Sequence, residues 1–180
     1  MTRMRIHLTL VAALAAALAV TGVAWSTTAR STTARSTTAF CKGAQLAGSF
    51  KAVPGSPGAG NIVYRLTLTN TSATACAVTG LPVVQLLGKT GNKLPTHARA
   101  AFPQGLTAIL VTLAHGKSSH ATARFSPDVP GVGEQTTGPC EKTSYSLRVT
   151  ARGGGTTTVK ITPPTPVCEH GQLQFSAYGR

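Results

Sequence analysis

Acidic side chains are nearly missing from this sequence. Asp128, Glu134, Glu141 and Glu169 stand against 17 lysines and arginines, a formal charge of +13 over 180 residues. So few carboxylates leave little for acid–base chemistry. A glycosidase needs two facing carboxyls, and three of the four acids lie in Pro/Gly-rich or Cys-adjacent stretches. Asp128 is the sole aspartate open to a Ser-His-Asp arrangement, and no G-x-S-x-G nucleophile elbow occurs. Aromatic residues are also scarce, at five Phe, three Tyr and one Trp. Most are needed for a core, so nucleic acid, which would want exposed rings for base stacking, is not an expected partner. No two cysteines lie within four residues of each other, which removes the usual zinc spacing. Gly116-Lys117-Ser118 and Gly88-Lys89-Thr90 end like a phosphate-binding loop, but Val111 and Val83 stand where its first glycine must be. No catalytic residue, cofactor or metal ligand set is therefore expected.

The chain has three compositional parts. Arg3 and Arg5 precede the uncharged apolar run Leu8–Val20, 13 residues long, where crossing a bilayer takes about 20. That is the layout of a signal peptide, here residues 1–24, with small residues Gly22 and Ala24 before the expected cut. No stable membrane anchor is expected after cleavage. No cysteine follows the apolar run directly, so lipidation is not expected either; the first is Cys41. Residues 25–40 hold STTAR at Ser26–Arg30, again at Ser31–Arg35, then STTA. A segment with so little to bury reads as a flexible linker. Residues 41–180 are the size of one domain. Without Arg3 and Arg5 the exported part keeps +11 of the +13.

Within that domain the signals are those of strands. Asn61–Thr69 alternates Ile62, Tyr64, Leu66 and Leu68 against Val63, Arg65, Thr67 and Thr69. Further strands are expected at Gln45–Val53, Val83–Leu87, Ala108–Leu113, His120–Phe125, Ser144–Ala151, Thr156–Ile161 and Leu173–Ala177. Gly153-Gly154-Gly155 marks a hairpin and should require a positive φ. The Gly-Lys-Ser/Thr segments after Val83–Leu87 and Ala108–Leu113 read as hairpin turns too. The prolines fall between these strands or at their edges, and no window of ten or more residues after Ala24 is convincingly helical. An all-β, immunoglobulin-like sandwich of about 7–9 strands fits this spacing.

Four cysteines in an exported domain make an even set that favours two disulfides. Of three possible pairings, Cys41–Cys76 with Cys140–Cys168 closes the shorter loops and ties each end of the domain to its body. The histidines His97, His115, His120 and His170 read as solvent-facing loop residues. Asn70-Thr71-Ser72 matches a glycosylation sequon but reads as a turn.

The stretch Leu66–Leu86, L-T-L-T-N-T-S-A-T-A-C-A-V-T-G-L-P-V-V-Q-L, resembles the signature of the actinobacterial secreted family called domain of unknown function 4232. Cys140, the Val167-Cys168 pair and the strand after it fit the same pattern. At Ala114-His115-Gly116 the chain departs from the family's Leu-x-Pro-Gly turn. The resemblance implies a secreted or envelope-attached β-sandwich with four paired cysteines, and no activity. With charge as the remaining signal, three roles follow in order. The first is a non-enzymatic cationic module on an anionic cell-wall polymer. The second is a binder or inhibitor of a secreted protein through loops Thr96–Thr107 or Pro127–Pro139. The third and weakest is a secreted hydrolase. Non-reducing peptide mapping should recover Cys41 with Cys76 and Cys140 with Cys168; a free thiol, or a Cys76–Cys140 peptide, would contradict this pairing.

Overall fold

The computed structural model describes residues 38–105 and 107–179. The expected signal peptide and most of the linker lie outside them. The described residues are nearly all β. Ten strands form: β1 Leu46–Ala52, β2 Ile62–Asn70, β3 Cys76–Val78, β4 Val83–Leu87, β5 His97–Ala100, β6 Val111–Leu113, β7 Ser118–Phe125, β8 Ser144–Thr150, β9 Thr156–Thr165 and β10 Gln172–Phe175. Eight join in one hydrogen-bonded sheet in the order β4-β8-β9-β1-β2-β7-β10-β5, and β3 pairs with β6 separately. The sheet curls on itself like a barrel. The segment before β5 returns along β4, where the Leu94 N–H donates to the Leu86 carbonyl (3.0 Å) and the Leu86 N–H to Thr96 Oγ1 (2.9 Å). Among the described residues no helix is long and apolar enough to cross a membrane.

Alternation decides what this curl encloses. In β2, Tyr64, Leu66 and Leu68 face in while Arg65, Thr67 and Thr69 face out; β7 does the same with Ala121, Ala123 and Phe125. Phe50, Tyr64, Phe125 and Phe175 form a run of ring contacts with centroids 5.1–6.3 Å apart. Phe50 of β1 reaches Phe175 of β10 although β2 and β7 lie between those strands in the sheet, which the curvature allows. The other half of the core is aliphatic, built from Leu86, Leu147, Val149, Val159 and Ile161.

Several local expectations change in three dimensions. β3 and β5 are strands without a period-two pattern: Cys76–Val78 is only three residues and buried throughout, and His97–Ala100 is mostly exposed. Ala108–Leu110 is not strand, and β6 does not form a hairpin with β7. It pairs with β3, so the Ala114–Lys117 turn passes the chain from one sheet to the other. β9 runs four residues past Ile161, through Pro163 and Pro164. They fall beside the bulge between Ser144 and Ser146, where the ladder is irregular and a missing N–H costs little. Ala39 and Phe40, read as linker, pair with Ala77.

The two disulfides join Cys41 to Cys76 and Cys140 to Cys168, spanning 35 and 28 residues. Loops of that length correspond to roughly 3.5–4 kcal/mol each in the chain-entropy picture. Asn70 is fully buried and uses its whole amide. Its Oδ1 accepts from the Ser72 N–H and hydroxyl, and its Nδ2 donates to the Thr74 and Leu113 carbonyls. The N-T-S signature is thus a turn that ties β2 to β6, with no free amide for a glycan.

The β8–β9 hairpin closes through Ala151 and Gly155, with Gly154 at φ 98° and Gly155 at φ 72°. Gly153 serves a second purpose. Its N–H donates to the Cys41 carbonyl, and a Cβ there would lie 2.3 Å from the Phe40 carbonyl oxygen. Gly153→Ala should therefore push the Cys41 segment off the hairpin. A loss of about 2 kcal/mol is expected from such overpacking, a fall in Tm of roughly 5 °C in a domain of this size; an unchanged melt would show that the two segments do not touch.

Candidate functional site

Charge is sorted by the pleat. Outward positions carry Lys51 on β1, Arg65 on β2, Arg124 on β7, Arg99 on β5, Lys160 on β9 and Arg148 on β8. Lys51 stands directly opposite Arg65, and Gln174 stands opposite both Arg124 and Arg99. Hydroxyls fill the gaps between them. Thr67 contacts His120 at 3.0 Å and Thr69 contacts Ser118 at 2.7 Å. No strand carries an acid: Asp128, Glu134, Glu141 and Glu169 all lie between strands. Among the described residues the only ion pairs are those of His170 with Glu134 and Glu141, so these lysines and arginines have no carboxylate partner. Directly opposed like charges weaken a sheet, and no described carboxylate pairs with Lys51 or Arg65. A shallow depression of about 190 Å³ lies beside that pair, lined by Ser49, Lys51, Arg65 and Thr67 among others.

Three of the four acids gather at a separate corner, around the Cys140–Cys168 bridge. After Cys168 the chain makes one left-handed turn: Glu169 has φ 55°, His170 φ 57° and Gly171 φ 79°, and the Gln172 N–H donates back to the Cys168 carbonyl. Left-handed conformations cost an L-residue roughly 1–2 kcal/mol each, so this turn needs support. Glu134 supplies it. Its carboxylate accepts the N–H groups of Gly131 (2.6 Å), Glu169 (2.9 Å) and His170, filling the concavity that successive turn N–H groups create. The Glu134 side chain is only 2% exposed. Burial alone would raise its carboxyl, but the N–H donors of His170, Gly131 and Glu169, helped by the nearby imidazole, outweigh it and hold the group below the ordinary carboxylate range.

Glu134, Glu141 and His170 place ligand-type atoms within 4.8 Å of one another. The Glu134 oxygens there already accept three N–H groups, and the neighbouring Cys140 and Cys168 sulfurs are tied in a disulfide. The four histidines do not assemble. His115 contacts the Ser72 carbonyl, His120 contacts Thr67, His97 lies on β5, and His170, 54% exposed in its side chain, reaches the Val132 carbonyl. Sequence reasoning treated Glu134 as one more loop acid. Its position directly after two glycines, in G-V-G-E, is the one signal that could have marked it.

The described residues thus form a small, disulfide-stapled, curled all-β domain whose outer strands carry lysines and arginines and no acid. The chain is a member of the family described as Domain of unknown function (DUF4232), which matches residues 41–179. No curated protein and no solved structure matches it.

The lowered Glu134 carboxyl makes stability depend on pH in a defined direction. A group depressed in the folded state stabilises above its unfolded value, about 4.3 for Glu, and the contribution is lost as pH falls through the lower native value. Thermal melts from pH 7 to pH 3 should show the wild type losing this part of its stability below about pH 4. Glu134→Gln should start less stable at pH 7 and decline less over that range; parallel curves would mean that the carboxylate charge does not hold the turn.

Proposed function

We propose that the protein is an exported, non-enzymatic binding module of the actinobacterial cell envelope, built on an immunoglobulin-like sandwich, that holds phosphate- or uronate-bearing wall polymers on its outer sheet surface. The carrying observation is the set Lys51, Arg65, Arg124 and Arg99, interleaved with hydroxyls and amides and without an acid on any strand. A cationic surface without acids suits a long, repetitive polyanion, which needs many weak contacts and no pocket. Phe50, Tyr64, Phe125 and Phe175 are buried, which leaves few rings for nucleic-acid bases.

A second reading, capture of a secreted protein, draws on the loops. Phe102 is 77% exposed and Val132 is 96% exposed, one in each of the two loops named above. The secreted hydrolase is the least supported of the three readings.

Purified protein should bind isolated cell walls at low ionic strength and release as salt rises, because screening acts over about 10 Å at 0.1 M. The triple variant Lys51→Glu, Arg65→Glu, Arg124→Glu should lose at least tenfold in wall binding, while Phe102→Ser with Val132→Ser should not. Salt-insensitive binding that vanishes in the Phe102/Val132 variant would favour the protein partner. Equal wall binding by the triple variant would remove the sheet surface as the site.

A further inference from the structure

The end of the barrel near the Cys41–Cys76 bridge is hollow. After β2 the chain leaves the large sheet, and the stretch Cys76–Leu81 passes over the opening. It is held there by the Ala77 N–H on the Ala39 carbonyl and the Tyr178 N–H on the Gly80 carbonyl, 2.9 Å each. The side chains it contributes there are small or modest, among them Ala77 and Val78, and Ala151 faces the same space. The large rings of the core are gathered around Phe50 and Tyr64, and neither borders this space. A cavity of about 320 Å³ remains. Protein interiors rarely leave voids larger than a water molecule, whereas this volume reaches the range of small-ligand sites, which favour the mouths of β-barrels.

Its chemistry is two-sided. Leu46, Leu68, Val78 and Val149 form a buried apolar wall, and the mouth carries Val83, Thr150 and Arg152. Arg152 is held over the Phe40 ring, its guanidinium carbon 4.7 Å from the centroid. That contact orients the group and leaves its charge unneutralised, because no described carboxylate pairs with it. Tyr178 closes the wall on another side. Burial raises its phenol, which therefore stays a hydroxyl donor at any physiological pH.

We propose that this cavity is a binding site for a small amphiphilic anion, a single medium-length acyl chain ending in a carboxylate, with the chain against Leu46, Leu68, Val78 and Val149 and the carboxylate on Arg152. An apolar lining with one fixed guanidinium at its rim recognises that combination, since the planar fork of Arg pairs a carboxylate through two parallel hydrogen bonds. The volume sets the length. At about 30 Å³ for each water-sized group, it holds on the order of ten non-hydrogen atoms, the size of octanoate. The site is separate from the outer sheet surface and does not depend on wall binding.

Sodium octanoate titrated into the ¹⁵N-labelled protein should move the amide signals of Val78–Leu81, Val149–Arg152 and Tyr178, with saturation. Arg152→Ala should weaken binding at least tenfold, Arg152→Lys less. Octanol should bind at least tenfold more weakly than octanoate. Val83→Trp, at a position 62% exposed and so tolerant of substitution, should block the mouth. Lys89→Glu, which reverses a charge at a residue that does not line the cavity, should bind octanoate as the wild type does. The proposal is overturned by absent or unsaturable shifts, by shifts confined to the outer sheet strands, by octanol binding as tightly as octanoate, or by Arg152→Ala binding unchanged.

Discussion

The Cys41–Cys76 bridge is the contact on which the rest of this fold leans. Cys76 opens the short strand β3, and Cys41 lies at the end of the segment that enters the domain, with their Cα atoms 4.8 Å apart. The backbone of Cys41 works in both directions, donating to the Ala77 carbonyl and accepting from the Gly153 N–H. One residue thus joins the entering chain, the small sheet and the tip of the β8–β9 hairpin. Asn70 makes the complementary tie a few residues earlier, holding the end of β2 against β6. Small side chains fill this end incompletely, so covalent and polar ties take over from packing, and the volume left between them becomes the cavity.

The same economy governs the acids. With four carboxylates in 180 residues, none is placed to neutralise the outer strands, and Glu134 holds a left-handed turn that the backbone would not keep alone. The corner with carboxylates therefore supports the backbone through Glu134, while the outer strands carry lysines and arginines without a described carboxylate partner. The feature that resembles a metal site most, Glu134 with Glu141 and His170, is the one whose central carboxylate already accepts three N–H groups.

Period-two alternation is a local property, and six strands show it because each has one face in the core: β1, β2, β7, β8, β9 and β10; β4 and the end of Ala108–Leu113 that becomes β6 were legible as short apolar runs between turns. The triple glycine and its positive φ angles were legible for the same reason, since turn conformation depends on the residues in the turn. β3 and β5 were not legible. Three buried residues have no period, and His97–Ala100 becomes a strand only because β10 lies beside it.

What the amino-acid sequence determined by itself was composition and short-range geometry: an all-β chain with an even set of cysteines, a cationic balance and turns at Gly and Pro. Tertiary structure alone decided that β6 crosses to β3 and that Gly153 must clear the Phe40 carbonyl. It also decided that Glu134 meets Glu169, 35 residues away, and that Lys51 faces Arg65. Each of these depends on which distant segments become neighbours when a curled sheet closes over its core, and no periodicity along the chain encodes that.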